Sequence, residues 1–335
     1  MSPGLRGRGG RRVGGALFAG VAFVSLVLSG CGAGGVSASP GGRVEVLTAL
    51  EPTRWRPVLA DEFEGTTLDP AVWATEDIHD WTSYDGEAHH AWSLAGNAKV
   101  ANGALALEAR RERFDPGSAP TVGWTSAGVR TTGFELDLEP SKPDLVRFRY
   151  GFVEVRARLA AGRGLMSTVW LLGSETARGG GAWFTEIELV ELLGDAPRRN
   201  HPNYFVPEGD DLSEPPDCCP QAVDYGVDLT AEFHVYGLEW TPTRLRWFLD
   251  GELVQDVERT ASREEQAAVL LMELHVRAEG PSGRGFDAAP DDSTPSVARM
   301  EVDYVRIWQD PTEPASSWHG PPGAGELEYQ PLVRS

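Results

Sequence analysis

The chain has 335 residues and a formal net charge of −20, with 50 acidic residues against 30 basic ones. Such an acidic surface repels phosphate backbones, which argues against nucleic acid as a partner. Apolar residues make up 41% of the chain, enough for a full core, and 39 glycines and 24 prolines indicate many turns. Long helical periodicity is scarce, which argues against a helical fold.

The N-terminus has the layout of an export signal. Arginines precede an apolar run from Val13 to Leu28, which is short for a membrane-spanning helix of about 20 residues. The run ends in Leu28-Ser29-Gly30-Cys31, which resembles the bacterial lipobox, where the chain is cleaved before a cysteine that carries a lipid. The sequence therefore predicts a signal peptide over 1–30, lipidation of Cys31, and an extracytoplasmic protein anchored to the cell membrane. A transmembrane helix is the alternative.

Composition also sets the limits of one large domain. Residues 31–50 are rich in small side chains, which predicts a flexible tether. Residues 312–335 are rich in proline and glycine and show no packing pattern, which predicts a disordered tail. A single domain over 51–311 remains between them, and it is expected to be a monomer.

Between these limits, short alternating segments separated by turns predict an all-β fold. Asp250-Gly251 joins two such segments and Asn102-Gly103 precedes another, and both dipeptides are typical of tight hairpin turns. Many strands without alternating helices favour two antiparallel sheets packed as a β-sandwich of the jelly-roll kind. The predicted strands are Ala104–Ala109, Gly151–Leu159, Thr168–Leu172, Thr185–Leu193, His234–Trp240, Leu245–Leu249, Val269–Val276 and Met300–Trp308.

Three acids interrupt one of these apolar strands. Glu186 and Glu188 are two residues apart and project from one face, while the apolar residues beside them face the core. Glu191 falls out of phase by one residue. A β-bulge near Leu189-Val190 would return it to the face of the other two, and bulges are common beside active sites. The sequence therefore predicts three carboxylates in a row.

Such a row suits the hydrolysis of a glycosidic bond. With two carboxyl groups about 5–5.5 Å apart, one attacks the anomeric carbon and the other protonates the leaving oxygen, which retains the anomeric configuration. A third carboxyl between them would share a proton with a neighbour and separate the pKa values of the pair. The alternative is a solvated outer face on which three acids coincide.

The row resembles the active-site motif E-[ILV]-D-x-x-E of the family 16 glycoside hydrolases, the laminarinase, lichenase and agarase group. Here the motif stands as Glu186-Ile187-Glu188-Leu189-Val190-Glu191, with a glutamate in place of the central aspartate. The resemblance continues in the family's order over residues 55–310 and implies a concanavalin A-like jelly roll. Other similar segments are Asp61-Glu62-Phe63, Gly151–Leu159, Phe233–Pro242 and Val302–Ile307.

The resemblance also implies roles for these residues. Glu186 is the expected nucleophile, Glu191 the general acid/base and Glu188 the modulator between them. The expected activity is retaining endo-hydrolysis of a β-linked polysaccharide, with β-1,3-glucan the first choice and a β-galactan such as agarose the second. Glu188 is one methylene longer than the family's aspartate, which could reduce or redirect activity. No cofactor is required, but some relatives carry a structural calcium, for which Asp303 is the expected ligand.

Candidate sugar-binding residues come from several segments. Glycan sites stack aromatic rings on sugars, and Trp183, three residues before the motif, resembles a family tryptophan in that position. Trp170 faces either the sugar or the core. Arg130 resembles a sugar-binding arginine or forms a surface salt bridge. His201 resembles a position on the acceptor side, and Glu87 aligns with a family loop from which its neighbours depart.

Two other classes of protein remain open at this point. One is a non-catalytic glycan-binding lipoprotein on the same fold, against which the retention of both terminal glutamates argues. The other is a structural lipoprotein of the cell surface, which has no need for three acids in a row. Transfer of the glycosyl group to another sugar instead of water is a further possibility within the enzyme class.

Overall fold

The computed structural model describes residues 55–75, 77–79, 91–117, 121–133, 143–174, 186–205, 222–259, 266–277 and 288–321. The predicted signal peptide, Cys31 and the tether lie outside these residues, as do Glu87 and Trp183. Within the described ranges, no helix combines the length and the apolar composition that a membrane span requires.

The described part of the chain forms nineteen β-strands, and one 3-10 turn lies at Ala95–Asn97. The strands are β1 Arg56–Asp61, β2 Ile78–His79, β3 Ala91–Ser93, β4 Ala98–Ala101, β5 Ala104–Phe114, β6 Val122–Arg130, β7 Arg147–Arg149, β8 Gly151–Arg158, β9 Leu165–Gly173, β10 Glu186–Leu193, β11 Arg199–Asn200, β12 Asn203–Phe205, β13 Val223–Asp224, β14 His234–Trp240, β15 Arg244–Leu249, β16 Glu252–Glu258, β17 Ala268–Val276, β18 Val297–Gln309 and β19 Ser317–His319. All eight predicted strands coincide with one of these.

The strands form two sheets that are connected through β6. The first sheet runs β16–β15–β14–β8–β18, and β18 then pairs with β1 along one half and with β5 along the other. The second sheet runs β6–β17–β9–β10, with the short strands β11 and β12 beyond β10. These pairs are antiparallel, whereas β3 pairs with β6 in parallel. The predicted sandwich of two antiparallel sheets is confirmed.

The core lies between the two sheets and determines which side chains point outward. In β17, Leu270, Met272 and Leu274 are buried in the core together with Trp240 and Trp247 of the first sheet. Full burial of one such side chain contributes about 1.5–3 kcal/mol, so a register slip that reversed the strand is strongly disfavoured. The alternate residues of β17 must therefore lie on the outer face of the second sheet.

Two hairpin turns have the geometry that their sequences predict. Asn102 and Gly103 have φ values of 56° and 73°, and Asp250 and Gly251 have 50° and 80°. Two-residue hairpin loops of type I′ need positive φ at both positions, which asparagine, aspartate and glycine adopt at low cost. Both turns connect directly paired antiparallel strands, β4 with β5 and β15 with β16.

The fold extends beyond the predicted domain end at residue 311. Strand β19 pairs with β7, and Gln309 Nε2 donates to the Ser317 carbonyl at 2.8 Å. The beginning of the predicted tail, 312–335, is therefore ordered. A three-residue strand within a proline-rich stretch is too short to show alternation, which is why composition alone set the boundary too early.

Candidate active site

Strand β10 carries the three acids and contains the predicted bulge. Glu188 lies opposite Trp170 of β9, and Val190 lies opposite Val169, so Leu189 is an extra residue without a counterpart. The apolar residues between the acids are buried in the core. All three acids of the motif therefore lie on the outer face of the second sheet, as the sequence predicted.

Cross-strand neighbours continue this arrangement over four strands. Residues directly opposite each other in antiparallel strands project to the same side. One row runs from Glu188 through Trp170 and Leu271 to Arg130. Trp170 is half-buried and packs on Leu172 and Leu271, so it lies on the side of the acids and not in the core between the sheets. Arg130 is buried, so its alternative as a surface salt bridge is wrong.

The next row brings a fourth acid to this surface. It runs from Glu191 through Thr168 and Glu273 to Gly128. A Cβ atom at Gly128 would lie 2.9 Å from Cγ of Glu273, so only glycine leaves room for this glutamate. We call the surface formed by Glu186, Glu188, Glu191 and Glu273 the acid face.

Glu188 is the buried centre of the acid face, with 7% of its surface exposed. Burial raises its pKa well above the ordinary value, and the charges of Glu186 and Glu191, a hydrogen bond with Glu186 and the charge of Glu273 act in the same direction. Its Oε2 atom has no hydrogen-bond partner, which further disfavours the charged form. These causes all favour the neutral form of Glu188, which can donate a hydrogen bond to Glu186.

Glu273 has the opposite electrostatic setting. Although burial opposes its ionisation, His275, Arg130 and Trp170 hold its pKa below the ordinary value. Its Oε2 atom accepts from Trp170 Nε1 at 3.0 Å and lies 3.3 Å from His275 Nε2. The acid face thus contains two buried carboxyls whose pKa values are shifted in opposite directions, an arrangement that is frequent where acid and base roles are divided.

His201 follows β11 and is tied to β10 through its backbone. Its N–H donates to the carbonyl of Glu191 at 3.1 Å. The side chain is half-buried, and burial together with the charge of Arg199 lowers its pKa, so the imidazole is neutral at neutral pH. The described contacts place His201 beside the acid face without assigning its ring a role.

Asp303 lies on the first sheet, away from the acid face. It accepts from Arg156 Nη1 at 2.5 Å. Calcium needs six to eight oxygen ligands, and no group of three metal-binding side chains occurs within the described residues. Asp303 therefore forms an ion pair with Arg156, and its role as a calcium ligand stays a prediction from the sequence.

Sequence reasoning missed Glu273 and His275 as members of the site. The signal was present in Met272-Glu273-Leu274-His275-Val276, where polar and apolar residues alternate as they do in β10. His275 gives no further signal in the sequence, because the histidines lack metal-ligand spacing. Only the pairing of β17 with β9 shows that both side chains lie on the side of the acids.

Comparison with known proteins agrees with this geometry. Residues 141–305 match the family model of the glycosyl hydrolases family 16, and this stretch contains the complete bulged strand. These residues are therefore similar in sequence to family 16. The protein is an endo-acting glycoside hydrolase.

Similar proteins extend over most of the chain. A β-glucanase of Rhodothermus marinus is 28% identical over 308 residues, which cover 86% of this chain and 93% of the relative. A glucan endo-1,3-β-glucosidase of Cryptopygus antarcticus is 26% identical over 223 residues, 63% of this chain and 77% of the relative. The crystal structure of an endo-β-1,3-glucanase from Pyrococcus furiosus superposes with a TM-score of 0.61 and 27% identity, covering 76% of this chain and 94% of the other.

Proposed function

We propose that the family 16 domain hydrolyses internal bonds of a β-1,3-glucan with retention of the anomeric configuration. Glu186 is the nucleophile and Glu191 the general acid/base. The observation that carries this proposal is the bulge at Leu189, which turns three glutamates of one strand to the same face. The names of relatives, an endo-1,3-β-glucosidase and an endo-β-1,3-glucanase, support the substrate.

The reaction proceeds in two displacements. The Glu186 carboxylate attacks the anomeric carbon while the Glu191 carboxyl gives its proton to the leaving glycosidic oxygen, so that one sugar remains as an ester on Glu186. Water then attacks the same carbon, Glu191 takes its proton, and the ester bond to Glu186 breaks. Two inversions give net retention.

Glu188 assists by keeping its proton. A neutral carboxyl that donates to Glu186 orients the nucleophile without adding a third negative charge beside it. The longer side chain of glutamate, compared with the aspartate of the family motif, still forms the hydrogen bond with Glu186. This supports activity in spite of the substitution.

Trp170 is a sugar platform in this proposal. Its indole N–H is bound by Glu273, which fixes the ring plane and leaves the ring as an apolar surface on the acid face. Sugars stack on such rings through their C–H faces. Trp183, Glu87 and His201 remain proposed contacts from the sequence alone.

Reducing-end release from a glycan panel tests the proposal. The full-length protein is incubated with laminarin, lichenan, agarose and κ-carrageenan. We expect release from laminarin, and we expect Glu186→Gln to lower it by about 10³-fold or more because the nucleophile is lost. Glu301→Gln on the first sheet is the matched control and should retain activity, since Glu301 pairs with Arg158 far from the acid face.

The other outcomes separate the alternatives. Binding to glycans without release from any of them would support a glycan-binding protein. Release from agarose or κ-carrageenan alone would support a β-galactanase. Full activity of Glu186→Gln on laminarin would contradict the assignment of the nucleophile.

A further inference from the structure

The bulge in β10 leaves a gap in the hydrogen bonding of the strand. On one side, Leu189 has no counterpart on β9. On the other side, the pairing with β12 ends at Glu188, and the pairing with β11 begins only at Leu192. Within the described residues, neither β11 nor β12 has a residue in register with Leu189, Val190 or Glu191, and buried N–H and C=O groups need partners.

The side chain of Asn200 fills this gap. Its Oδ1 accepts from the Glu191 N–H at 2.9 Å, and its Nδ2 donates to the Leu189 carbonyl at 2.9 Å. One atom faces a donor and the other an acceptor, so only this orientation of the amide satisfies both. Asn200 is completely buried, and its Nδ2 also donates to the Tyr225 hydroxyl at 3.2 Å.

Neighbouring groups complete the support of the bulge. His201 N–H donates to the Glu191 carbonyl, so both backbone groups of Glu191 are bound by residues 200 and 201. From the opposite sheet, Trp247 Nε1 donates to the Glu188 carbonyl at 2.7 Å. The main chain is thereby fixed at Glu188, Leu189 and Glu191, the segment that sets the spacing of the acids.

We propose that Asn200 is a positioning residue for the general acid/base, because its amide fixes the backbone of Glu191 within the bulge. This inference rests on the proposed roles of Glu186 and Glu191. An acid catalyst must reach the glycosidic oxygen, and a displacement of about 1 Å can cost about 10²-fold in rate. Asn200 itself touches neither the substrate nor the reacting atoms.

Two substrates distinguish positioning from a merely structural role. A soluble β-1,3-glucan needs protonation of its leaving oxygen, whereas a 2,4-dinitrophenyl β-1,3-gluco-oligosaccharide releases a stable phenolate without it. For Asn200→Ala we expect kcat/KM to fall about 100-fold on the glucan and less than about 5-fold on the aryl glycoside, since general acid catalysis typically contributes 10²–10⁴-fold. Glu191→Ala is the reference for the loss of acid catalysis.

A control variant and a milder variant complete the test of Asn200. Asn97→Ala removes another buried asparagine that donates two hydrogen bonds, to Thr125 and Ser126, and should leave both rates unchanged. Tyr225→Phe removes only the hydroxyl that accepts from Asn200 and should lower the glucan rate by about 2–5-fold while sparing the aryl glycoside. It replaces Asn200→Ala if circular dichroism shows that the latter is unfolded.

The outcomes separate this inference from the proposal on which it rests. If Glu191→Ala lowers kcat/KM equally on the glucan and on the aryl glycoside, the proposed role of Glu191 itself is wrong. Suppose that Glu191→Ala loses kcat/KM on the glucan but not on the aryl glycoside. If folded Asn200→Ala, or Tyr225→Phe in its place, then lowers kcat/KM equally on both substrates or on neither, the inference is overturned. A selective loss on the glucan confirms it.

Discussion

Glu188 lies between two acids and has one carboxyl oxygen without a partner. In that setting the anion is disfavoured by burial and by like charges at the same time. The neutral form satisfies Glu186 through a hydrogen bond. At the scale of single residues, the setting of Glu188 therefore favours its protonated form, and this has a consequence for stability.

The stability of the folded state should depend on the titration of Glu188. Its folded-state pKa lies above the ordinary value of 4.5, so the folded protein binds the proton more tightly than the unfolded chain. The contribution of Glu188 to the free energy of unfolding must then fall as the pH rises above 4.5, up to its folded-state pKa. Glu188→Gln lacks this titration. We expect the Tm of Glu188→Gln minus that of the wild type to increase as the pH rises from 4.5 towards the folded-state pKa of Glu188.

Differential scanning calorimetry at several pH values measures this difference. The other titrating groups are common to both proteins, so their contributions largely cancel. A difference in Tm that stays constant or decreases with pH would show that Glu188 is ionised in the folded state.

At the scale of strands, the site could be predicted only where the signal is local. The out-of-phase Glu191 predicted the bulge, because both features lie within six residues of β10. Glu273 reaches the acid face only because β17 pairs with β9 in one register. These two strands are about a hundred residues apart in the sequence, so no local pattern predicts their pairing. Asn200 is close in sequence, but its role depends on how β11 lies against β10.

Gly128 tests the packing of this second strand of the site. We expect Gly128→Ala to destabilise the protein by about 1–3 kcal/mol, the usual cost of overpacking, because the new Cβ meets the buried side chain of Glu273. Displacement of Glu273 should also weaken its hydrogen bond with Trp170 and raise KM for the glucan.

Gly123→Ala on the same strand is the matched control for Gly128→Ala. No atom lies within 4 Å of a Cβ built at Gly123, so its stability should change by less than about 0.5 kcal/mol. Urea unfolding of both variants measures the difference. Equal stability of the two variants would show that Glu273 is not confined by Gly128.

At the scale of the whole molecule, alternation and turn residues were sufficient to predict the sandwich. They did not predict the order of strands in each sheet, because pairing partners such as β18 and β5 lie far apart in the chain. The strands β3 and β19 were missed for a different reason, since segments of three residues carry no readable period.

Both sheets contribute to the site. Trp247 of β15 belongs to the first sheet and reaches through the core to the carbonyl of Glu188 on the second. The position of β10 therefore depends on the packing of the sandwich as a whole.

The stereochemistry of the product tests the central claim most directly. The full-length protein is mixed with a β-1,3-gluco-oligosaccharide, and proton NMR follows the anomeric signals of the new reducing end before mutarotation. Two displacements through Glu186 predict that the β-anomer appears first and that Glu186→Gln forms neither anomer at a comparable rate. Initial release of the α-anomer, or unchanged release by Glu186→Gln, would contradict the claim.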